Sequence, residues 1–370
     1  MPAFLAAADG AGDSLACGRV TSSEPDILFE RRGVAGHVIL NRPHALNAVS
    51  NDMVCTLAQK LEQWESDSAV TRIVVSAKGG RAFSAGGDLR ALYDLGRCGR
   101  YEDALVFFRA EYALNARIKH YRKPYVALID GIVMGGGVGI SVHGSHRVAG
   151  DRFAFAMPEV GIGFFPDIGA TWFLPRLPGR LGTYCALTGE RLDAADAVSA
   201  TIATHRVASN RFPELMEALS SAVPVDALLG AFAEPAGTGR VTAAAIDRLL
   251  GGGRVEDILS RLDEEVAADR PHAAFALATA AAIRTKSPTS LKIALAQMQR
   301  GARLDFAECM RTEFRIVSRV MRGHDFYEGV RAVIIDKDQT PRWQPATLEE
   351  VTPAKVEHYF APLKSELELP

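Results

Sequence analysis

The sequence has no run of about 20 apolar residues, the length that a membrane-spanning helix needs. Its five cysteines are scattered and form no C-x-x-C pair, which argues against a disulfide framework or a cysteine-based zinc site. The net charge of -2 gives no electrostatic reason to expect a nucleic acid or an anionic membrane as partner. These absences favour a protein of a reducing compartment with neither kind of partner.

The first 25 residues also lack the marks of a targeting segment. They have no basic region of the kind that opens a secretory signal, and Asp9, Asp13 and a single Arg19 poorly match an Arg-rich, acid-poor transit peptide. Their Gly, Ser, Ala and Asp content predicts a disordered tail over residues 1–25. We therefore expect a cytoplasmic protein.

The remaining sequence alternates between two patterns. Short β-branched runs, such as "TRIVVSA", are followed by helical patterns, such as the one that begins after Ser50, a candidate N-cap. The alternation predicts an α/β core over residues 26–210. Residues 211–270 are rich in Ala, Leu and Glu and predict a helical insertion. Residues 271–370 predict a helical C-terminal region with a polar tail.

Two glycine turns, "AFSAGGDL" and "MGGGVGIS", each follow a predicted strand. The second lacks the third glycine of a dinucleotide-binding fingerprint, since Ile140 stands there, and no P-loop motif is present. Both turns can instead expose backbone N–H groups, which together would stabilise the charge that develops on the carbonyl oxygen of a thioester or an ester. Glycines for close helix packing are the alternative interpretation.

Acids in apolar surroundings are the strongest chemical signal. Glu159 and Asp167 lie eight residues apart in "FAMPEVGIGFFPDIGA", where almost everything else is apolar or glycine. An ionised carboxylate is costly to bury without partners, so such a pair indicates a functional site. Glu111 lies on a predicted helix that is largely apolar. The sequence allows two interpretations of Glu111: it lies on a solvated helix face, or it lines a pocket. His143 and His146, three residues apart, lack a third ligand at matching spacing, and we expect no metal there.

Four stretches carry a family resemblance: "LNRPHALNAVS", "AFSAGGDL", "KPYVALIDGIVMGGGVGIS" and "FAMPEVGIGFFPDIGA". They resemble the successive signatures of the crotonase (enoyl-CoA hydratase/isomerase) superfamily. Within it the likeness is greatest to the 3-hydroxyisobutyryl-CoA hydrolase family, and it continues through residues 321–351. The resemblance implies a spiral of β-β-α turns whose C-terminal helices close over the active site. It also implies an acyl-CoA substrate, with CoA as part of the substrate and no separate cofactor; a homo-oligomer is left open.

The resemblance further implies roles for single residues. The N–H groups of Gly87 and Gly136 would form an oxyanion hole, Glu159 and Asp167 would be the catalytic acids, and Glu111 would bind substrate. The implied reaction is thioester hydrolysis, a step of valine breakdown. Glu159 would either attack the thioester carbon or activate water, and the sequence leaves both routes open.

One departure from related enzymes discriminates among activities. Hydratases that resemble this chain carry a second glutamate in G-G-G-x-E, where this sequence has Gly139. Dienoyl-CoA isomerases share the Glu/Asp spacing and are the alternative, although Phe-Phe-Pro before Asp167 and the C-terminal likeness favour a hydrolase. A non-catalytic acyl-CoA-binding or RNA-binding protein is a third hypothesis, which the retained acids and the slightly acidic charge balance disfavour.

Overall fold

The computed structural model describes residues 24–370, so all but the last two residues of the predicted N-terminal tail lie outside the described part. Nine strands are found in it: β1 Ile27–Arg32, β2 Ala35–Leu40, β3 Arg72–Ala77, β4 Ala82–Ser84, β5 Tyr125–Ile129, β6 Ile132–Met134, β7 His146–Ala149, β8 Ala154–Ala156 and β9 His205–Arg206. They form a six-stranded sheet in the order β1-β2-β3-β5-β7-β9 and a three-stranded sheet in the order β4-β6-β8. Only the β1–β2 pair of these two sheets is antiparallel.

Successive strands alternate between the two sheets. β3, β5 and β7 lie in the large sheet, and each is followed directly by a strand of the small sheet, namely β4, β6 and β8. A helical segment then leads to the next pair. This is the spiral of β-β-α turns that the resemblance implied, and the fold prediction is confirmed. Because β4 and β6 are parallel neighbours, the glycine turns that follow them meet at one edge of the small sheet.

Sixteen α-helices occur in the described residues: α1 Asn51–Ser66, α2 Leu89–Arg97, α3 Tyr101–Lys119, α4 Gly136–Gly139, α5 Ala170–Phe173, α6 Leu181–Thr188, α7 Ala194–Ser199, α8 Phe212–Leu219, α9 Val225–Phe232, α10 Ala243–Leu249, α11 Val255–Ala267, α12 Ala273–Arg284, α13 Pro288–Gly301, α14 Phe306–Val320, α15 Asp325–Val330 and α16 Pro353–Phe360. A 3-10 helix covers Glu159–Ile162, and a π-helix covers Arg331–Ile335. Helices α8 to α11 occupy residues 211–270; the division into domains stays a prediction. None of the helices in residues 24–370 is both long and apolar enough to cross a membrane.

Helix α1 shows how local sequence builds these elements. The Ser50 side chain accepts a hydrogen bond from the Met53 N–H, which satisfies one of the free donors of the first turn. Leu57, Leu61 and Trp64 continue the buried stripe that begins at Met53. That stripe packs on the core beside α3, so the predicted cap and the predicted face are both present.

The C-terminal helices surround the loops that follow the small sheet. Helix α14 packs against α3 and α5, and α15 packs against α2 and the 3-10 helix. Helix α3 is unusual because its buried face carries polar side chains, Glu111, Tyr112 and Asn115, among apolar ones. This buried polar stripe lies between the sheet edge and the C-terminal helices, and it indicates the position of a functional site.

Candidate active site

All five residues that the sequence singled out for the reaction line one cavity, with about 490 Å³ of space including its open mouth. They are Gly87, Glu111, Gly136, Glu159 and Asp167. Most of the remaining wall is apolar: Leu89, Leu92, Phe107, Phe108, Met134, Ile162 and Phe164. Such a cavity holds few polar groups, which can therefore fix the orientation of a ligand.

Two glycine turns form one side of this cavity. Gly86 (φ +119°) and Gly135 (φ +45°) hold positive φ values, which L side chains rarely adopt. A Cβ built on Gly136 would lie 3.3 Å from the Gly87 nitrogen, so the turns are in contact. Within residues 24–370, neither the Gly87 nor the Gly136 N–H donates a hydrogen bond to another protein group. Two neighbouring free donors can together bind one developing oxyanion.

Glu159 lies beside these turns at the start of the 3-10 helix. Its side chain is buried, and its Oε1 atom would be 3.3 Å from a Cβ built on Gly135. Its Oε2 atom has no hydrogen-bond partner among the described residues. Burial first, and then the negative charge of Asp167, raise the pKa of Glu159 well above its ordinary value. Burial of the carboxyl group thus disfavours its ionised form.

Asp167 faces the same cavity from the loop after Phe-Phe-Pro. The Tyr112 hydroxyl donates a hydrogen bond to its Oδ2 atom at 2.8 Å. Burial raises the pKa of Asp167 to about 7, although the bond from Tyr112 opposes that rise. A group with this pKa exchanges protons readily at physiological pH.

Glu111 completes a group of three acids. It is 2% exposed, which excludes the solvated helix face that the sequence left open. Its Oε1 atom has no hydrogen-bond partner among the described residues and lies against Gly136, 2.5 Å from where a Cβ would be. Burial and the charge of Asp167 raise the pKa of Glu111 well above its ordinary value. No Lys or Arg of residues 24–370 lines the cavity, and burial disfavours the ionised form of all three acids.

Three polar residues around the site were not predicted from the sequence. Tyr112 and Asn115 lie on the buried face of α3, and Glu313 lies on the buried face of α14. Glu313 is fully buried and accepts hydrogen bonds from two backbone N–H groups, those of Gly169 and Thr171. Burial raises the pKa of Glu313 to about 8, and the two N–H donors oppose that rise. The sequence carried a signal for these three residues, because each lies on a helical stripe that is otherwise largely apolar.

Asn115 also occupies the space next to Gly139. A Cβ built on Gly139 would lie 2.8 Å from the Asn115 Nδ2 atom and 3.0 Å from the Ile168 Cβ atom. The Asn115 side chain is fully buried. A glutamate therefore has no room at position 139 while Asn115 keeps this conformation.

The two candidate histidines do not meet. His143 donates from Nε2 to the Ile168 carbonyl oxygen at 2.7 Å, whereas His146 contacts Asp226 at 2.8 Å on the surface. Burial lowers the pKa of His143 to about 4, so it is neutral. Residues 24–370 contain no group of three or more His, Cys, Asp or Glu side chains that could hold a metal ion.

The raised pKa of Asp167 makes stability depend on pH. Its pKa of about 7 exceeds the ordinary value of 3.8, so between these values the folded state binds more protons than the unfolded state. The free energy of unfolding then falls as pH rises through this range. The melting temperature of Asp167→Asn should exceed that of wild type at about pH 8, and this difference in melting temperature should become smaller towards about pH 5. Thermal melting at both pH values checks this prediction, and an equal difference in melting temperature at the two pH values would contradict it.

Comparison with known proteins gives the family. A model described as enoyl-CoA hydratase/isomerase matches residues 35–360. The chain belongs to the enoyl-CoA hydratase/isomerase family. A curated Danio rerio relative named 3-hydroxyisobutyryl-CoA hydrolase, mitochondrial, is 44% identical over 350 residues, 91% of this chain and 90% of the relative. The Homo sapiens protein of the same name is 41% identical over 357 residues, 93% of this chain and 91% of the relative.

Solved structures of the family share this fold. A crystal structure described as a carnitinyl-CoA dehydratase from Mycobacterium thermoresistibile is 40% identical, with a TM-score of 0.88, and the match covers 93% of this chain and 99% of that one. Another structure, described as an enoyl-CoA hydratase from Rhodobacter sphaeroides 2.4.1, is 37% identical, with a TM-score of 0.84. The match covers 93% of this chain and 100% of that one. The fold of this family member is thus that of known enoyl-CoA hydratase/isomerase proteins over almost its whole length.

The prediction of a cytoplasmic location is wrong by this comparison, since both curated relatives are named as mitochondrial. The cysteine pattern could not have revealed this, because it reports only a reducing environment. The composition of the first 25 residues did not indicate the location either. A targeting signal is recognised by a receptor and leaves no trace in the folded core on which the other predictions rest.

Proposed function

We propose that this member of the family is a hydrolase that cleaves 3-hydroxyisobutyryl-CoA to 3-hydroxyisobutyrate and CoA, a step of valine degradation. The observation that carries the proposal is the placement of Glu159 and Asp167 beside two free N–H donors, with glycine rather than a second glutamate at position 139. The two curated relatives named 3-hydroxyisobutyryl-CoA hydrolase support the substrate.

In this proposal the thioester carbonyl oxygen binds between the N–H groups of Gly87 and Gly136. The donors stabilise the negative charge that appears on the oxygen when the carbonyl carbon becomes tetrahedral. The apolar wall excludes bulk water and strengthens these electrostatic interactions. Both effects act on the transition state more than on the bound substrate, so they raise the rate.

Glu159 has two routes to hydrolysis from its position beside the turns. It can attack the thioester carbon, expel the CoA thiolate and leave a mixed anhydride that water then opens. Alternatively, it can remove a proton from a water molecule that attacks the same carbon. In either route the departing thiolate takes up a proton, and Asp167, with its pKa of about 7, is placed to supply it.

Hydration of a double bond is a second candidate, since the two solved structures are described as a hydratase and a dehydratase. The hydratases that this sequence resembles use two glutamates for that reaction. In this chain the second position is Gly139, and the Asn115 amide lies where the glutamate side chain would begin. The site geometry therefore favours hydrolysis.

The proposal is tested by offering the purified protein three substrates. CoA release from 3-hydroxyisobutyryl-CoA is followed with a thiol-reactive dye, hydration of an enoyl-CoA by loss of its absorbance, and dienoyl-CoA isomerisation by a shift in absorbance. We expect rapid thiol release and little change in the other two assays. Hydration or isomerisation without thiol release would refute the proposal.

Glu111 is proposed to recognise the substrate hydroxyl. An apolar pocket cannot distinguish a 3-hydroxyacyl group from its deoxy analogue, whereas a buried carboxyl with a free oxygen can hydrogen-bond to the hydroxyl. Sites of this kind reject the deoxy analogue by up to about 10⁴–10⁵-fold. Glu111→Ala should reduce kcat/KM far more for 3-hydroxyisobutyryl-CoA than for isobutyryl-CoA, measured side by side.

Glu102→Ala is the matched control for this experiment. Glu102 lies on the same helix, but its side chain is exposed and pairs with Arg322 at the surface. The control should keep the wild-type ratio of the two kcat/KM values. An equal loss on both substrates in Glu111→Ala would show that another residue recognises the hydroxyl.

A further inference from the structure

The backbone that follows Asp167 adopts a conformation that its sequence disfavours. Ile168 has a φ of +56° and Gly169 has a φ of +89°, so two consecutive residues are left-handed. Glycine accepts this freely, but a β-branched residue such as isoleucine is a genuine outlier there. Such a conformation persists only where the surrounding structure holds it in place.

Side chains from distant parts of the chain hold this turn. Glu313, on α14, accepts from the Gly169 N–H at 2.7 Å through Oε2 and from the Thr171 N–H at 2.8 Å through Oε1. On the other side, His143 donates to the Ile168 carbonyl oxygen. Gln297 donates to the Thr171 hydroxyl oxygen and to the carbonyl oxygen of the residue before Asp167.

Glu313 is the only acid in this set and binds two backbone groups at once. It is not among the residues that line the cavity, and its side chain is fully buried. Because both of its oxygens accept, it fixes the direction of the backbone immediately after Asp167. The Tyr112 hydroxyl fixes the other end, the Asp167 carboxylate itself. The aspartate is thus held at its side chain by α3, and the backbone two residues after it is held by α14.

We propose that Glu313 is a positioning residue, which holds the left-handed turn at Ile168–Gly169 and thereby fixes the Asp167 carboxylate for thioester hydrolysis. This inference rests on the proposed function. Its physical basis is that a displacement of about 1 Å in a reacting group can cost about 10²-fold in rate. A loosened turn lets the Asp167 carboxylate move while the walls that bind the acyl group stay in place.

Glu313→Gln tests this proposal. Glutamine keeps the size of the side chain but offers one carbonyl oxygen and one NH₂ group, so one of the two N–H groups loses its acceptor. We expect kcat for 3-hydroxyisobutyryl-CoA to fall by about 10–100-fold with KM changed by less than about threefold. Thermal melting accompanies the assay, which is run well below the melting temperature.

Glu265→Gln is the matched control. Glu265 is also a fully buried carboxylate on a helix, α11, and it also accepts from a backbone N–H, that of His272, at 3.1 Å. It lies outside the cavity lining and pairs with Arg248. The control should lose thermal stability but keep kcat, which separates a positioning effect from general destabilisation.

The outcomes are distinct. If wild type does not hydrolyse the thioester, the proposed function fails before any variant is made, and this inference fails with it. If wild type hydrolyses the thioester and a folded Glu313→Gln keeps kcat, or changes KM alone, only the positioning role is overturned.

If Glu313→Gln does not fold, Glu313→Asp serves as the test variant instead. Its carboxylate is one methylene shorter and cannot reach both N–H groups, so unchanged kcat there would also overturn the proposal.

Discussion

Glu159→Gln is expected to lower kcat for thioester hydrolysis by about 10²–10⁴-fold without unfolding the protein. The amide keeps the shape of the side chain but can neither attack the thioester carbon nor accept a proton from water. Because the carboxyl is buried and its Oε2 atom has no partner within the described residues, the substitution removes a costly group and should raise the melting temperature at about pH 8. Steady-state kinetics and thermal melting measure the two effects.

Asp167→Asn provides the comparison, since it should also lose activity but less severely. Single-turnover hydrolysis in 18O-labelled water then tests the covalent route. Label recovered in Glu159 shows a mixed anhydride that water opens at the Glu159 carboxyl carbon, whereas label found only in the product acid places the attack of water at the acyl carbon. Wild-type rates from both variants would mean that the two acids are structural and that the site has been misassigned.

Gly87→Pro is expected to lower kcat/KM by about 10²–10³-fold, the usual effect of losing one oxyanion-hole donor. Proline removes the N–H but also fixes φ and restricts the preceding residue, so circular dichroism must show that the variant is folded. The position is suitable because a Cβ on Gly87 would make only ordinary contact with Phe107, at 3.5 Å. Gly136 is less suitable for this test, since any Cβ there collides with Glu111.

Gly87→Ala is the control for this substitution, because it adds the Cβ and keeps the N–H. It should retain activity close to that of wild type, and both variants should have wild-type circular dichroism spectra. Wild-type activity in the proline variant would exclude Gly87 as an oxyanion donor. Equal loss in both would indicate that the added carbon, rather than the missing N–H, is responsible.

The parts of the site that the sequence predicted are those whose signal is local. Glu159 and Asp167 could be identified because each lies among apolar neighbours in the sequence itself. The glycine turns could be identified because each follows a strand. For Glu111 the sequence left two interpretations, since a single acid on an apolar helix does not reveal whether another element covers that face. Only the packing of the fold around α3 decided the question.

Other features could not be predicted because they depend on contacts distant in the sequence. Glu313 reaches Gly169 across 144 residues, and its role is visible only when α14 is in place. Strands β4 and β6 have three residues each, too few to show an alternating pattern. The left-handed turn at Ile168 is opposite to the local preference of isoleucine, so tertiary contacts override the sequence signal there.

The tight packing of Asn115 against Gly139 has a consequence for substitutions at position 139. A single change of Gly139 to glutamate would place its Cβ within 2.8 Å of the Asn115 amide, so it would meet a steric penalty before any gain in hydration. A change of Asn115 alone would leave a cavity without a catalytic group. The two positions are therefore coupled. The steric cost of Gly139→Glu should be smaller where Asn115 is replaced by a smaller residue than in the native chain, and a double-mutant cycle of unfolding free energies measures this coupling.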